Sequence, residues 1–176
     1  MVKSAVPISP LFIERLDTPT GRMLVVTDKE ERVRAVDWED CRPRIDLLLR
    51  RHCGADAGQL RKCLAPTAAS RALQRYFAGE WSAIDSIPIA TNGTPFQQSV
   101  WRTLRSIAPG QPISYATLAA RIGQPNAIRA VGRANGSNPI SIIVPCHRLI
   151  GSDASLTGYG GGIERKRWLL AHEASA

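Results

Sequence analysis

The sequence predicts an α+β protein with a mixed α/β first half and a mostly helical second half. Three observations carry this. Two apolar, β-rich runs joined by a charged turn lie near the start, in a hairpin pattern. A polar break, TNGTP at 91–95, divides the chain. Behind the break, two helical periodicities flank a Gly-containing turn, the spacing of a helix-turn-helix unit.

In chain order, RMLVVTD (22–28) and RVRAVDWE (32–39) are the two β-rich runs, with KEE between them. PRIDLLLRRH (43–52) and AASRALQRYFAGEW (68–81) have helical spacing, with Leu73, Tyr76 and Phe77 on one face. Thr94 then caps a helix with Pro95 in its first turn, and Gln97 completes a capping box. Val100, Trp101, Leu104 and Ile107 lie along one face until APGQP ends that helix. A second helix carries Tyr115, Leu118, Ala119 and Ile122, stops at Gly123, and is followed by Pro125. Asn126 is expected to cap a third. In AIRAVGRANG, Ala127, Ala130, Val131 and Ala134 form an inward face, opposite Arg129, Gly132, Arg133 and Gly136. A helix-interior glycine costs about 0.5–1 kcal/mol relative to alanine. Two on an exposed face therefore suggest close backbone approach by a partner, with the arginines supplying charge for phosphates. The apolar run 140–144 reads as a buried strand.

Apolar residues make up 44% and charged residues 22% of the 176, an ordinary globular composition. No run approaches the ~20 apolar residues of a membrane span, and MVKSAVPISPLF lacks the apolar core of a signal peptide, so a cytoplasmic protein with no membrane partner is expected. The net charge of +8 is uneven. Residues 1–94 carry 14 Lys and Arg against 12 Asp and Glu, a net of +2; residues 95–176 carry 9 against 3, a net of +6. The second half thus suits a polyanion.

The four cysteines form no CxxC pair, so neither a structural zinc site nor a disulfide scaffold is encoded, and no metal is expected. Cys41, Cys53 and Cys63 read as reduced thiols. Cys146 differs, because VPCHRLIG (144–151) puts it beside His147. A thiol of pKa ~8.5 is only a few per cent thiolate at neutral pH, and an adjacent base raises that fraction. In an extended strand the two side chains would point to opposite faces, so direct help needs a backbone turn, which Pro145 favours. The carboxylates of the second half that could orient the imidazole are Asp153, Glu164 and Glu173. By residue chemistry alone, Cys146 reads equally as a buried inert thiol and His147 as a structural histidine.

VPCHRLIG, with RAVGRANGSNPISI before it and LTGYGGG and RKRWLLAHE after it, resembles the O6-alkylguanine-DNA alkyltransferase family, in its bacterial Ogt-type form. TPTG, RAVDWE and YFAGEW extend the resemblance through the first half. It implies a DNA-repair methyltransferase that moves an alkyl group irreversibly from O6-alkylguanine, and from O4-alkylthymine, in double-stranded DNA to Cys146, once per molecule and without a cofactor. It makes His147 the base acting on Cys146 through a water, oriented by Glu173. Arg129 becomes the finger that enters by the minor groove and fills the space of the flipped nucleotide, on a helix that also presents Gly132, Arg133 and Gly136. Tyr115 would aid rotation and give a proton to the departing guanine, and Asn138 would tie the helix-turn-helix to the cysteine segment. Tyr159, Gly160, Pro139 and the backbone of Leu149 would line the pocket. The implied organisation is an RNase H-like domain over 1–91 and a winged-helix-like DNA-binding and catalytic domain over 92–176, in a monomer whose cooperativity on DNA is left open. Two rivals remain at this point: a damage-recognising protein that flips the base without chemistry, and a Cys-His-Glu hydrolase.

Overall fold

The computed structural model describes residues 10–54, 57 and 60–175; residues 1–9, where the reading for a signal peptide falls, lie outside them. The chain is mixed α+β. A four-stranded sheet of order β3-β2-β1-β4 is built from β1 (Leu11–Thr18), β2 (Gly21–Thr27), β3 (Val33–Trp38) and β4 (Leu60–Lys62). The expected hairpin is β2–β3, in antiparallel register with Val25 opposite Val36. Asp28 shapes its turn by accepting from the backbone N–H groups of Glu30 and Arg32. β1 and β4 were not anticipated: β1 alternates too weakly, and β4 is three mostly polar residues added parallel to β1.

Met23 to Thr27 are all buried because the sheet is covered on both faces. On one face Leu24, Val26 and Ala35 pack with Ile45 and Leu49 of α1 (Arg42–Cys53). On the other, Met23, Val25, Val36 and Trp38 join a larger core with Leu73 and Tyr76 of α2 (Ala68–Phe77) and with the second half of the chain. The helix expected over 68–81 ends at Phe77. Gly79 interrupts it, and Trp81–Ile84 form a separate 3-10 turn.

Behind the polar break, α3 (Pro95–Arg105) carries the full capping box of Thr94 and Gln97. Val100, Trp101, Leu104 and Ile107 are buried as its periodicity demands. Ser114, in the short strand β5 (Ile113–Ser114), caps α4 (Tyr115–Arg121). After the turn at Gly123 comes α5 (Ile128–Gly136). Asn126 does not cap it: the N-cap position is Ala127, with no side-chain bond. The two-residue β6 (Leu149–Ile150) pairs with β5, and α6 (Ile163–Glu173) closes the fold. No helix among the described residues is long and apolar enough to cross a membrane.

The run 140–144 is buried as expected, but it is not a strand. Ile140 makes a single bridge to Val36 on the outer edge of β3, and the chain then turns tightly, with Ile142 at φ 71°. The edge is shared, since Val33 pairs with Pro88 and Ala90 while Val36 pairs with Pro139 and Ser141. An apolar sequence fits a buried turn as well as a buried strand, and periodicity does not separate the two.

Candidate active site

Asn138 shapes the turn that delivers Cys146. Fully buried, it donates through Nδ2 to the carbonyls of Ile140 (3.3 Å) and Val144 (2.9 Å), and its Oδ1 accepts from Ile140 N (2.9 Å). Pro145 follows, and Cys146–Arg148 wind into one 3-10 turn. The backbone therefore does turn at the cysteine, and Cys146 and His147 are not extended-strand neighbours. Asn135 Nδ2 steadies the segment by donating to the Cys146 carbonyl at 3.3 Å.

Glu173, in the last turn of α6, is fully buried and is the carboxylate that meets His147, at 2.8 Å between Nε2 and Oε1. Asp153 and Glu164, the other candidates, are exposed. Arg148 grips both oxygens of Glu173, through Nε to Oε2 and Nη2 to Oε1, each 2.8 Å. Tyr76, from α2, donates to Oε1 at 2.6 Å. Burial would raise the Glu173 carboxyl, but the hydrogen bond from His147 and the hydrogen bonds and charge of Arg148 overcome it and hold the group well below the usual carboxylate range. Burial pushes His147 down, although Glu173 opposes this, so the imidazole rests neutral. A neutral imidazole facing an ionised carboxylate places its one proton on Nε2. Nδ1 is then the basic nitrogen, and it is buried without a hydrogen-bond partner among the described residues.

Cys146 is 4% exposed and borders a cavity of about 360 Å³. Burial raises its thiol, while the Asn138 amide and the charges of Arg44 and Lys166 act the other way. The resting group is a thiol that needs a base. Tyr115, Gly132, Gly136, Tyr159 and Gly160 line the same cavity. Pro139 and Leu149 are buried beside it but not on its lining: the Pro139 carbonyl accepts from Val36 N, and Leu149 pairs with Ile113.

The cavity opens along α5. Arg129 and Arg133 are exposed, while Val131 and Ala134 are buried, so the two faces expected for this helix are present. A Cβ at Gly132 would meet only Tyr115 Cε1 at 4.0 Å, and one at Gly136 would meet nothing. Internal packing among the described residues does not require either glycine.

Several residues at the site escaped the sequence reading. Asn135 could have been found, since it follows Val131 by four on the buried face. Arg44 could not: it reaches the cavity from α1, paired with Asp37 and donating to the Asn138 carbonyl at 3.0 Å. Lys166 is also fully buried, donating from Nζ to the Thr157 carbonyl at 2.8 Å. Only the fold joins these positions to Cys146.

Fold and site together define an α+β protein with a buried cysteine, histidine and glutamate behind an arginine-bearing helix-turn-helix. Comparison with known proteins makes this specific. A family model described as the DNA binding domain of 6-O-methylguanine DNA methyltransferase matches residues 95–175. The methylated-DNA–protein-cysteine methyltransferase of Shigella flexneri is 50% identical over 163 residues, covering 93% of this chain and 95% of that protein. Among solved structures, the Mycobacterium tuberculosis O6-methylguanine methyltransferase aligns with TM-score 0.75 at 36% identity, over 94% of this chain and 93% of that one. The M. tuberculosis OGT in complex with DNA aligns with TM-score 0.77 at 37% identity, over 93% of each chain. The chain belongs to the methylated-DNA–protein-cysteine methyltransferase family.

Proposed function

We propose that this protein repairs DNA by transferring the alkyl group of O6-alkylguanine, and of O4-alkylthymine, to Cys146, one transfer per molecule. The observation that carries the reading is the buried His147 with Nε2 tied to Glu173 and a bare Nδ1, one residue from a thiol at a cavity. His147 takes the Cys146 proton at Nδ1, through a water. The thiolate attacks the alkyl carbon, a C–S bond forms, and the bond from that carbon to O6 breaks with its electrons passing to the guanine. Tyr115, on the cavity wall, supplies the proton the leaving base requires. Displacement at an alkyl carbon forms no tetrahedral oxyanion, so no oxyanion hole is needed. The thioether has no hydrolytic exit.

A base stacked in a duplex is out of reach of a buried thiol, so it must be flipped, at a cost of a few kcal/mol. Arg129 fills the space it leaves, entering by the minor groove, while Arg133, Gly132 and Gly136 lie against the backbone. Asn138 ties the cysteine turn to α5, and Tyr159 and Gly160 edge the pocket. In this reading residues 1–91 form an RNase H-like domain and 92–176 a winged-helix-like DNA-binding domain, acting as a cytoplasmic monomer. Incubation with duplex containing one O6-methylguanine, followed by intact mass, tests the proposal. One methyl per protein is expected. Multiple turnover on an ester, or reversible binding with no mass change, would favour the hydrolase or the passive flipper instead.

A further inference from the structure

We infer that Tyr76 is a positioning residue for the transfer: by sharing the Glu173 carboxylate, its hydroxyl keeps His147 unprotonated and available as a base. The inference rests on the Cys146–His147–Glu173 reading above and extends the site into the first half of the chain.

The geometry is asymmetric. Among the described residues, Glu173 Oε1 accepts from three donors, Tyr76 Oη at 2.6 Å, His147 Nε2 at 2.8 Å and Arg148 Nη2 at 2.8 Å, whereas Oε2 accepts only from Arg148 Nε at 2.8 Å. A carboxylate oxygen offers about two lone-pair sites. The three donors therefore compete, and charge drawn toward Tyr76 is charge withheld from His147. Tyr76 is fully buried, and burial together with the Glu173 charge pushes its hydroxyl far up, so it stays protonated and donates. The charged groups around His147 are Glu173 and Lys166 from α6 and its own neighbour Arg148. Both cations disfavour a protonated imidazole, and Glu173 alone favours it. Tyr76 moderates that single favouring charge. His172, one residue before Glu173, bonds the Tyr76 carbonyl at 2.9 Å, which fixes α2 against α6 and sets the hydroxyl in place.

Removing the hydroxyl leaves Glu173 with its three remaining bonds and more charge for His147. Tyr76→Phe is therefore expected to make His147 more basic and to shift the acid limb of the transfer rate upward by about half a pH unit. The experiment is single-turnover transfer from an O6-methylguanine duplex at saturating concentration across pH 5.5–8.5, with thermal melting of each variant alongside. Site-specific 3-fluorotyrosine at position 76 keeps the shape but donates more strongly, and the same limb is expected to move downward. Opposite shifts in the two variants support the inference. Superimposable limbs, whatever happens to the melting temperature, would show Tyr76 to be structural only and overturn it. Wild-type protein that transfers nothing, or alkylates a different cysteine, would instead sink the underlying relay.

Discussion

His147 Nε2 and Glu173 Oε1 meet at 2.8 Å with both side chains fully buried, linking the residue after Cys146 to the end of the last helix. The contact sets the tautomer of the base, and the same carboxylate balances the buried Arg148. Glu173→Gln keeps the shape but leaves Arg148 buried without a counter-charge. Breaking a buried pair in this way costs about 3 kcal/mol or more. The expected result is a clearly lower melting temperature and slowed, not abolished, transfer, because the nucleophile is still in place.

The same groups predict how stability varies with pH. His147 and His52 are both pushed down by burial from an ordinary value of 6.5, so the unfolded chain binds protons that the folded one refuses. Their contribution is present above 6.5, begins to be lost as pH falls below that value, and goes on being lost until the depressed folded values are reached. Glu173, held far below its ordinary 4.5, adds a second loss that begins near that value and deepens toward stronger acid. Asp37 works in the opposite sense, since burial raises its carboxyl and Arg44 only partly restores it. Melting followed from pH 8 to pH 3 is expected to fall in two stages, with the second shallower in Glu173→Gln. A flat profile would contradict the assignment.

Asn138→Ala tests the turn. It orphans the Ile140 N–H in a fully buried setting, whereas the Ile140 and Val144 carbonyls keep backbone donors from Val144 and Cys146. One unsatisfied buried donor costs about 1–3 kcal/mol. A chain of this size then melts about 5 °C lower. Transfer is expected to slow as well, since the amide helps to lower the Cys146 thiol. Unchanged kinetics at full occupancy would show the turn to be self-supporting.

Arg129→Ala separates flipping from chemistry. Arg129 is exposed at the start of α5 and does not line the cavity. Productive binding to duplex is expected to weaken by about tenfold. Attack on the free base O6-benzylguanine, which requires no flipping, is expected to stay nearly intact. Wild-type affinity for DNA is also expected to fall with salt as phosphate contacts demand. Equal losses on duplex and free base would remove Arg129 from the role of finger.

Local signals in the sequence specify structure where spacing alone decides it. The capping box of Thr94 and Gln97, the buried stripe from Val100 to Ile107 and the arginine face of α5 all follow from spacing alone. Asn126 looks like a cap, but the helix starts two residues later, at Ile128, with Ala127 in the N-cap position and no side-chain bond. The run 140–144 misled for a different reason, since its five buried positions carry no period and Asn138 folds them into a turn. The site was half legible. Cys146, His147 and Glu173 stand out by chemistry once resemblance selects among the carboxylates, and the structure brings them together. Tyr76, Arg44 and Asp37 carry no such mark, because they reach the site from α2, α1 and β3 of the first half, which only the fold brings against the second.

The most direct test is the location and number of the transferred groups. After exhaustive reaction with O6-methylguanine duplex, peptide mapping is expected to find one methyl on the peptide containing Cys146 and none on those containing Cys41, Cys53 or Cys63. Cys146→Ser is expected to bind DNA but accept no methyl, since a hydroxyl is far harder to ionise than a thiol. A methyl on another cysteine, or more than one guanine repaired per protein molecule, would contradict the account.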